Sequence, residues 1–227
     1  MGPSGVDAWG GRRCPASNLP PLVEQELSRR IVGEDADHNY TLFRPAQADE
    51  KVETKWQLAL TSIDELDEKE STITMQFWLR CSWKDTRGAF WDPAENGVHQ
   101  LQPRSNQVWT PDHVIHNMIE KNVIADSSVY MYADGSYYWS VPQRVKLNCK
   151  VALTNFPYDK QNCTVVVGAW SFHGGLQDLA FMQSADGKGL PVDFSNFVQK
   201  ENQWTLMKMT AGRHDVKYLC CPVKWPV

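Results

Sequence analysis

The sequence ITMQFWLRCSW at residues 73–83 is the strongest structural signal in this chain of 227 residues. Its apolar side chains occupy every second position, namely Ile73, Met75, Phe77, Leu79, Cys81 and Trp83. Successive side chains of a β-strand point to opposite faces of the sheet. The alternation therefore predicts a long strand that buries one apolar face, with Cys81 as a free thiol in the core.

Trp78 lies on the predicted outer face of this strand, between Gln76 and Arg80. An exposed tryptophan lowers solubility unless it contacts a partner or a ligand. We therefore interpret Trp78 as an interface or ligand-binding residue. The alternative is that a neighbouring strand covers it.

Further strand-like segments lie on both sides of this strand and are separated by turn signals. They are found at residues 52–60, 129–132, 137–141, 144–153, 163–170, 202–209 and 215–221. An amphipathic segment, LVEQELSRRIV at 22–32, predicts a short N-terminal α-helix. Residues 1–21 show no periodicity and are predicted to be a flexible tail. The chain is thus predicted to form one domain at 22–227, an all-β, immunoglobulin-like twisted β-sandwich.

The composition argues against several classes of function. Lys and Arg number 23 against 27 Asp and Glu, for a net charge of −4. This balance disfavours nucleic acid as a partner, because phosphate recognition needs clustered positive charge. No apolar run approaches the roughly 18 residues of a membrane-spanning helix, so no membrane contact by this chain alone is expected. The 10 tryptophans outnumber the 8 phenylalanines, which suggests either aromatic binding surfaces or a tryptophan-packed core that includes Trp56 and Trp83.

The cysteines indicate an oxidising environment. Cys149 and Cys163 enclose thirteen residues, Cys220 and Cys221 are adjacent, and Cys14 lies in the tail without a predicted partner. This spacing favours disulfides over metal ligation. A bridge that closes about 15 residues contributes roughly 3 kcal/mol of stability.

Two glycosylation sequons agree with an extracellular location, either secreted or on the outer side of the plasma membrane. They are Asn39-Tyr-Thr and Asn162-Cys-Thr. Between Cys149 and Cys163, the segment FPYD at 156–159 predicts a rigid turn, for which a cis proline is one option.

The loop CKVALTNFPYDKQNC at 149–163 resembles the signature loop of the Cys-loop receptors, the pentameric ligand-gated ion channels. WTPD at 109–112 and GAWSF at 168–172 are similar to further motifs of that family. YLCC at 218–221 is similar to the tip that marks nicotinic acetylcholine receptor α-type subunits and acetylcholine-binding proteins. The resemblance covers residues 22–227 and implies the ligand-binding domain of this family, with one disulfide closing the loop and another joining the adjacent cysteines.

The resemblance implies a ligand site between a principal face of one subunit and a complementary face of the next. The implied principal-face residues are His116, Trp170, Ser171, Tyr218, Cys220, Cys221 and Trp225. The implied complementary-face residues are Trp78, Arg80, Tyr130, Tyr138 and Ser140. Because one chain carries both faces, a homopentamer with five equivalent sites is expected. The aromatic residues would cage acetylcholine or nicotine-like cations, with each cation–π contact worth about 0.5–2 kcal/mol.

Three positions depart from the usual pattern of the family. His116 and Trp225 stand where tyrosine is usual, and Val166 stands where lysine is common, which removes an ion-pair relay from that position. A protonated His116 would repel a cationic ligand, so affinity is expected to fall between about pH 7.5 and 5.5. The family's final strand is expected to lie beyond Val227.

Other classes of function fit less well. No HExxH, GxSxG or pair of catalytic carboxylates in a convincing frame supports an enzyme. His113 and His116 beside Asp112 form the one metal-like cluster, but they lie in a ligand loop of the implied family, so neither a metal nor a cofactor is expected. A tryptophan-rich carbohydrate-binding module would not need adjacent cysteines. We therefore expect a soluble pentameric binding protein for acetylcholine-like cations, with the extracellular domain of a channel subunit as the alternative.

Overall fold

The computed structural model describes residues 21–32, 43–46, 50–86, 91–125, 127–183, 191–199, 204–217 and 224–227. Within these ranges the helices are α1 (Pro21–Val32) and α2 (Pro93–Asn96). The strands are β1 (Val52–Asp67), β2 (Thr72–Lys84), β3 (Gln100–Leu101), β4 (Val114–Ile115), β5 (Met118–Val123), β6 (Val129–Tyr132), β7 (Ser136–Asn148), β8 (Val167–Gly168), β9 (Gln177–Phe181), β10 (Val192–Asp193), β11 (Asp215–Lys217) and β12 (Lys224–Pro226). The predictions for residues 1–20, Cys14, Asn39, Tyr218, Cys220 and Cys221 lie outside the described residues.

Helix α1 confirms the predicted N-terminal helix and begins one residue earlier, at Pro21. Proline is tolerated in the first helical turn because the N–H groups there have no partner inside the helix. Leu27 and Ile31 are four residues apart and both are buried, so α1 packs on the core through one face. Neither α1 nor α2, the helices of the described ranges, is long and apolar enough to span a membrane.

One mixed eight-stranded sheet carries most of the fold, with the strand order β10-β1-β2-β7-β6-β3. Strand β9 pairs in parallel with the first part of β1, and β10 pairs in parallel further along the same strand. Strand β5 pairs with the end of β7. The two-stranded sheets β4-β8 and β11-β12 complete the strands of the described residues.

The register of the three central strands confirms the predicted alternation. Trp56 on β1 lies opposite Cys81 on β2, and Cys81 lies opposite Trp139 on β7. Cys81 is a fully buried free thiol, and burial raises its pKa well above the ordinary value. Trp56 and Trp83 are buried in the same core, as predicted.

Three predicted strands differ in the structure. The segment 144–153 is a strand only as far as Asn148, where β7 ends. Of the segment 163–170, only Val167–Gly168 forms a strand, and the described residues 204–209 form none. Trp204, Leu206 and Met209 nevertheless pack against the core. The apolar periodicity of that segment therefore indicates which side chains pack against the core. It does not predict a strand, because a strand also needs a hydrogen-bonded neighbour.

The short helix α2 was not predicted, although its sequence carries cap signals. Asp92 accepts the N–H of Ala94 at 2.8 Å, and Pro93 occupies the first position. Gly97 ends the helix in the left-handed conformation, with φ of 70°. A side-chain cap at the N-terminal end and a backbone N–H cap from Gly97 to the carbonyl oxygen of Pro93 support this single turn at both ends.

The disulfide between Cys149 and Cys163 is present, with Cα atoms 5.0 Å apart, as the resemblance implied. The Phe156–Pro157 peptide bond is cis. Asn162 is exposed, and its glycosylation stays a prediction. The loop is joined to the β1–β2 turn because the N–H of Cys149 donates to the carbonyl oxygen of Ser71 at 2.9 Å.

Candidate functional site

The described residues of the predicted principal face include one exposed tryptophan. Trp170 exposes 69% of its surface, and Ser171 beside it is also exposed. The ring centroid of His116 is 6.3 Å from that of Trp170. On β12, Trp225 lies edge-on to His173 with 6.3 Å between ring centroids. These side chains form what we call the principal wall: His116, Trp170, Ser171 and Trp225.

One carboxylate shapes the backbone that carries Trp170. The Oδ2 atom of Asp112 accepts the N–H of Trp170 at 2.8 Å and the N–H of Ser171. The N–H of Phe172 also points to this oxygen, at 3.4 Å. Hydrogen bonds to an ionised acceptor are stronger than neutral ones, so Asp112 fixes the loop at 170–172.

A buried glutamine in turn holds Asp112. The N–H of Asp112 donates to Oε1 of Gln177 at 3.1 Å, and Nε2 of Gln177 donates to the carbonyl oxygen of Asp112 at 2.8 Å. Gln177 has no solvent exposure. Because its amide oxygen and its amide nitrogen each have a hydrogen-bond partner, the buried side chain holds Asp112 in one position.

The hairpin of β11 and β12 brings Trp225 next to the loop that carries Trp170. Trp225 pairs with Val216 in this hairpin. The N–H of Gly174 donates to the carbonyl oxygen of Lys224 at 3.0 Å. A Cβ atom at Gly174 would lie 2.8 Å from that oxygen, so the two segments approach as closely as they do because residue 174 is glycine.

Gly168 is a second close contact within the principal wall. A Cβ atom there would lie 2.7 Å from Cγ1 of Val227 and 2.8 Å from Nε2 of His116. The N–H of His116 donates to the carbonyl oxygen of Val166 at 2.8 Å. Gly168 is therefore the point where the His116 segment, strand β8 and the end of β12 meet.

The predicted complementary-face residues lie together on the outer face of the central sheet. We call them the complementary wall: Trp78, Arg80, Tyr130, Tyr138 and Ser140. Arg80 lies opposite Ser140 in the β2–β7 register. Tyr130 on β6 lies opposite Tyr138 on β7, with ring centroids 6.1 Å apart. Trp78 is half-buried, and the guanidinium of Arg80 stacks over it.

Arg80 is fixed in this wall by two acceptors. Its guanidinium carbon is 5.3 Å from the centre of the Trp78 ring. Nη1 donates to Oε1 of Gln57 at 2.8 Å and to Oδ2 of Asp193 at 2.6 Å. Partial burial alone would raise the pKa of Asp193, but hydrogen bonds from Ser195 and Arg80 outweigh it and the pKa is lowered. The pair thus stays ionised at neutral pH.

Tyr138 stays neutral in the same wall. Burial raises the pKa of its phenol, and this outweighs the opposing influences of Arg80 and of the hydrogen bond with Ser140. A neutral phenol offers both a donor and an acceptor. The complementary wall therefore combines aromatic faces, one fixed positive charge and a hydroxyl group.

The complementary wall lies on the face of the sheet opposite to the one that His113 contacts. Along β2, Trp78 and Arg80 lie on the opposite face from the buried Cys81. Trp56 and Trp139 lie on the same face as Cys81. His113 packs against that second face, with ring centroids 5.2 Å from Trp56 and 5.6 Å from Trp139. The segment that leads from His113 to His116 therefore starts on the side of the sheet opposite to Trp78 and Arg80.

His113 is a core residue. Burial, and then the charge of Lys121, lower the pKa of its imidazole. Nδ1 lies 3.3 Å from the carbonyl oxygen of Pro111. Among the described residues no group of three His, Cys, Asp or Glu side chains could hold a metal ion. The neighbouring Asp112 carboxylate is instead used by backbone N–H groups.

Sequence reasoning missed several residues that support these walls. Asp112 lies in the WTPD motif, so a signal was available for it. Gln177 and Asp193 carried none, because their partners lie 65 and 113 residues away in the chain. His173 and Gly168 were also missed, since their roles depend on segments that meet only in the folded chain.

The fold and the two aromatic walls define a mostly β ligand-binding domain with a disulfide-closed loop. Residues 25–226 match the family described as the neurotransmitter-gated ion-channel ligand binding domain, and the chain belongs to this family. Membership confirms the resemblance found in the sequence. It also confirms the prediction of a binding domain rather than an enzyme.

Relatives and a solved structure agree with this assignment. The neuronal acetylcholine receptor subunit alpha-6 of Mus musculus is 30% identical over 87% of this chain and 38% of its own length. The acetylcholine receptor subunit alpha-type acr-16 of Caenorhabditis elegans is 31% identical over 88% of this chain and 40% of its own length. The chain thus spans well under half the length of these relatives. The crystal structure of AChBP from Bulinus truncatus is 21% identical, has a TM-score of 0.72 and covers 91% of this chain and 93% of its own, which confirms the predicted fold.

Proposed function

We propose that this chain binds acetylcholine or related small organic cations between the subunits of a homopentamer outside the cell. The observation that carries the proposal is the exposed Trp170 with His116 beside it and the half-buried Trp225 on the neighbouring hairpin, together with a second aromatic wall at Trp78 and Tyr138 on the outer face of the sheet. When identical chains associate head to tail in a closed ring, the principal wall of one meets the complementary wall of the next. Each interface then holds one complete cage.

The chemistry of the walls suits a cationic ligand. Aromatic faces attract ammonium groups, and each contact is worth about 0.5–2 kcal/mol. Trp170 is available for such a contact because 69% of its surface is exposed in the single chain. The relatives support the ligand class, since they are named acetylcholine receptor subunits. The disulfide at Cys149 and Cys163 supports an extracellular location.

Titration of the size-fractionated oligomer tests the proposal. Nicotine or acetylcholine is expected to quench tryptophan fluorescence and to saturate at one ligand per subunit. Trp170→Ala and Trp78→Ala should each lower affinity by about a hundredfold, because each removes one aromatic wall. Tyr158→Ala is the matched control, since Tyr158 is an aromatic residue with 88% exposure on the disulfide loop. Retained nicotine affinity in Trp170→Ala, or quenching by glycans but not by nicotine, would contradict the proposal.

Mixing the two defective chains tests the interface itself. Trp170→Ala leaves the complementary wall intact, and Trp78→Ala leaves the principal wall intact. In randomly mixed pentamers about a quarter of the interfaces join two intact walls, so about a quarter of the sites should recover full affinity. A site within one chain would show no recovery.

The extracellular domain of a channel subunit is the second candidate. The observation that favours it is an exposed apolar loop tip, at which Leu153, Phe156 and Tyr158 expose 53%, 76% and 88% of their surfaces. Exposed apolar groups of this kind mark contacts with another protein or a membrane domain. The full-length transcript decides between the two candidates by encoding, or not encoding, four hydrophobic segments after this domain.

A further inference from the structure

A cluster of charges at the root of the β11–β12 hairpin lies outside both walls. Arg213 precedes β11, and its Nη1 donates to the carbonyl oxygen of Leu179 at 2.7 Å. Its Nη2 donates to Oδ1 of Asp178 at 2.7 Å and lies 3.3 Å from Oδ1 of Asp215. One guanidinium thus contacts strand β9 twice while it also contacts its own hairpin.

Asp178 is firmly joined to the body of the domain. Its side chain is only 12% exposed, and its Oδ2 accepts Nζ of Lys51 at 2.6 Å. Its Oδ1 also accepts the N–H of Leu179 at 3.0 Å. Strand β9, which carries both residues, pairs in parallel with β1 over Val52 to Trp56. A group that binds Asp178 and Leu179 is therefore bound to the central sheet.

Neither described strand of the hairpin is part of the large sheet. In the described part of the chain, β11 and β12 pair with each other and with no strand of the large sheet. His214, next to Arg213, exchanges two backbone hydrogen bonds of 2.8 Å with Val227. On the β12 side, the N–H of Gly174 donates to the carbonyl oxygen of Lys224. Arg213 thus holds the first strand of the hairpin, and Gly174 holds the second.

We propose that Arg213 is a positioning residue for Trp225 in the principal wall. By tying the start of β11 to Asp178 and Leu179, it sets the place of the whole hairpin, including the Val216–Trp225 pair, relative to Trp170. The inference rests on the proposed function in one respect, the assignment of Trp225 to the ligand cage. Without the tie, the hairpin is held from the β12 side alone, and the ligand leaves more readily.

A purely structural role makes a different prediction. Arg213 is 40% exposed, and ion pairs of such residues contribute little to global stability because water and salt screen them. Removal of Arg213 should therefore hardly change the unfolding midpoint. If Arg213 positions Trp225, its removal should mainly raise the rate of ligand dissociation, since Trp225 contacts the ligand only in the bound state.

Stopped-flow measurement of nicotine binding to the assembled protein separates these roles. In Arg213→Met, dissociation is expected to be about threefold to tenfold faster, with association changed by less than about twofold. Arg213→Lys should be intermediate, because an ammonium can pair with Asp178 but cannot bond both acceptors in the same fork geometry. Lys51→Met is the matched control, since it removes the other cation bound to Asp178 and leaves the hairpin contacts in place. Wild-type dissociation in Arg213→Met, or an equal acceleration in Lys51→Met, would overturn the proposal.

Hydrogen exchange on the unliganded protein provides a test that does not depend on the ligand. In Arg213→Met, the amides of residues 214–217, 224, 225 and 227 should exchange about threefold to tenfold faster, while those of β1 and β2 stay unchanged. If the wild-type protein does not bind nicotine, the proposed function fails. Hydrogen exchange then still tests whether Arg213 holds the hairpin against strand β9. Unchanged exchange in the hairpin would overturn the inference even if nicotine binds.

Discussion

The two walls are built in different ways. The complementary wall takes its side chains from β2, β6 and β7, which are paired strands of one sheet, so the register alone places Trp78, Arg80 and Tyr138 on one face. The principal wall takes its side chains from a loop and a two-stranded hairpin, which are fixed by single contacts such as those of Asp112. A wall that rests on many ladder hydrogen bonds should tolerate the loss of one supporting side chain that does not itself contact the ligand. A wall that rests on one carboxylate should not.

Replacing Asp112 is expected to have the largest effect. Asp112→Ala removes the acceptor for the N–H groups of Trp170 and Ser171, and charge-assisted bonds are worth about 1.5–3 kcal/mol each. Nicotine affinity, measured by fluorescence titration, should fall by at least about a hundredfold. Asp112→Asn keeps an acceptor without the charge and should lose less. Circular dichroism establishes that both variants keep the β fold.

Asp64 is the matched control for Asp112. It is also a shielded carboxylate, with its side chain 10% exposed, and it accepts Gln76, Ser62 and Arg144 on another part of the sheet. Asp64→Ala should lower the unfolding midpoint and leave nicotine affinity within about threefold. If Asp64→Ala weakens binding as much as Asp112→Ala, the contrast between the two walls is wrong.

The difference between the two walls also explains which parts of the site could be predicted from the sequence. Alternation over 73–83 predicted the core face and singled out Trp78, because one strand's side chains obey a period of two. The principal wall was located only through motif resemblance, since no local pattern links Asp112 to Trp170 or to Gln177, 65 residues further along. For the segment predicted as a strand at 202–209, the described residues 204–209 form none, because strand pairing depends on a neighbour that a sequence does not specify.

Gly168→Ala should have the second largest effect. The new Cβ would lie 2.7 Å from Val227 and 2.8 Å from His116, so one of them must move. Nicotine affinity is expected to fall about tenfold, because the movement separates the end of β12 from the His116 segment. Gly212→Ala is the matched control, since a Cβ there comes no closer than 3.6 Å, to His214. Equal losses in the two variants would show that the close contact at residue 168 has no special role.

A positive charge at residue 116 should have a smaller effect. A cationic side chain in place of His116, whose ring centroid is 6.3 Å from that of Trp170, would repel a bound cation. Nicotine affinity is expected to fall about fivefold in His116→Lys, whereas His116→Tyr adds no charge and should lose less. His173→Lys places the same charge beside Trp225, and a larger loss there than in His116→Lys would contradict the assignment.

Asp193→Asn should have the smallest effect on binding, because it alters the complementary wall while the β2–β7 register stays intact. Arg80 keeps its bond to Gln57 and its place over Trp78, so nicotine affinity should change by no more than about twofold. The folded-state pKa of Asp193 is lowered, so its contribution to stability is present above the unfolded value of about 3.9 and is lost as the pH falls through the folded value. Urea unfolding should therefore show the wild type more stable than Asp193→Asn at pH 7, with the difference shrinking toward pH 3. A loss of affinity comparable to that of Asp112→Ala would mean that the complementary wall also depends on one carboxylate, and that register alone does not hold it.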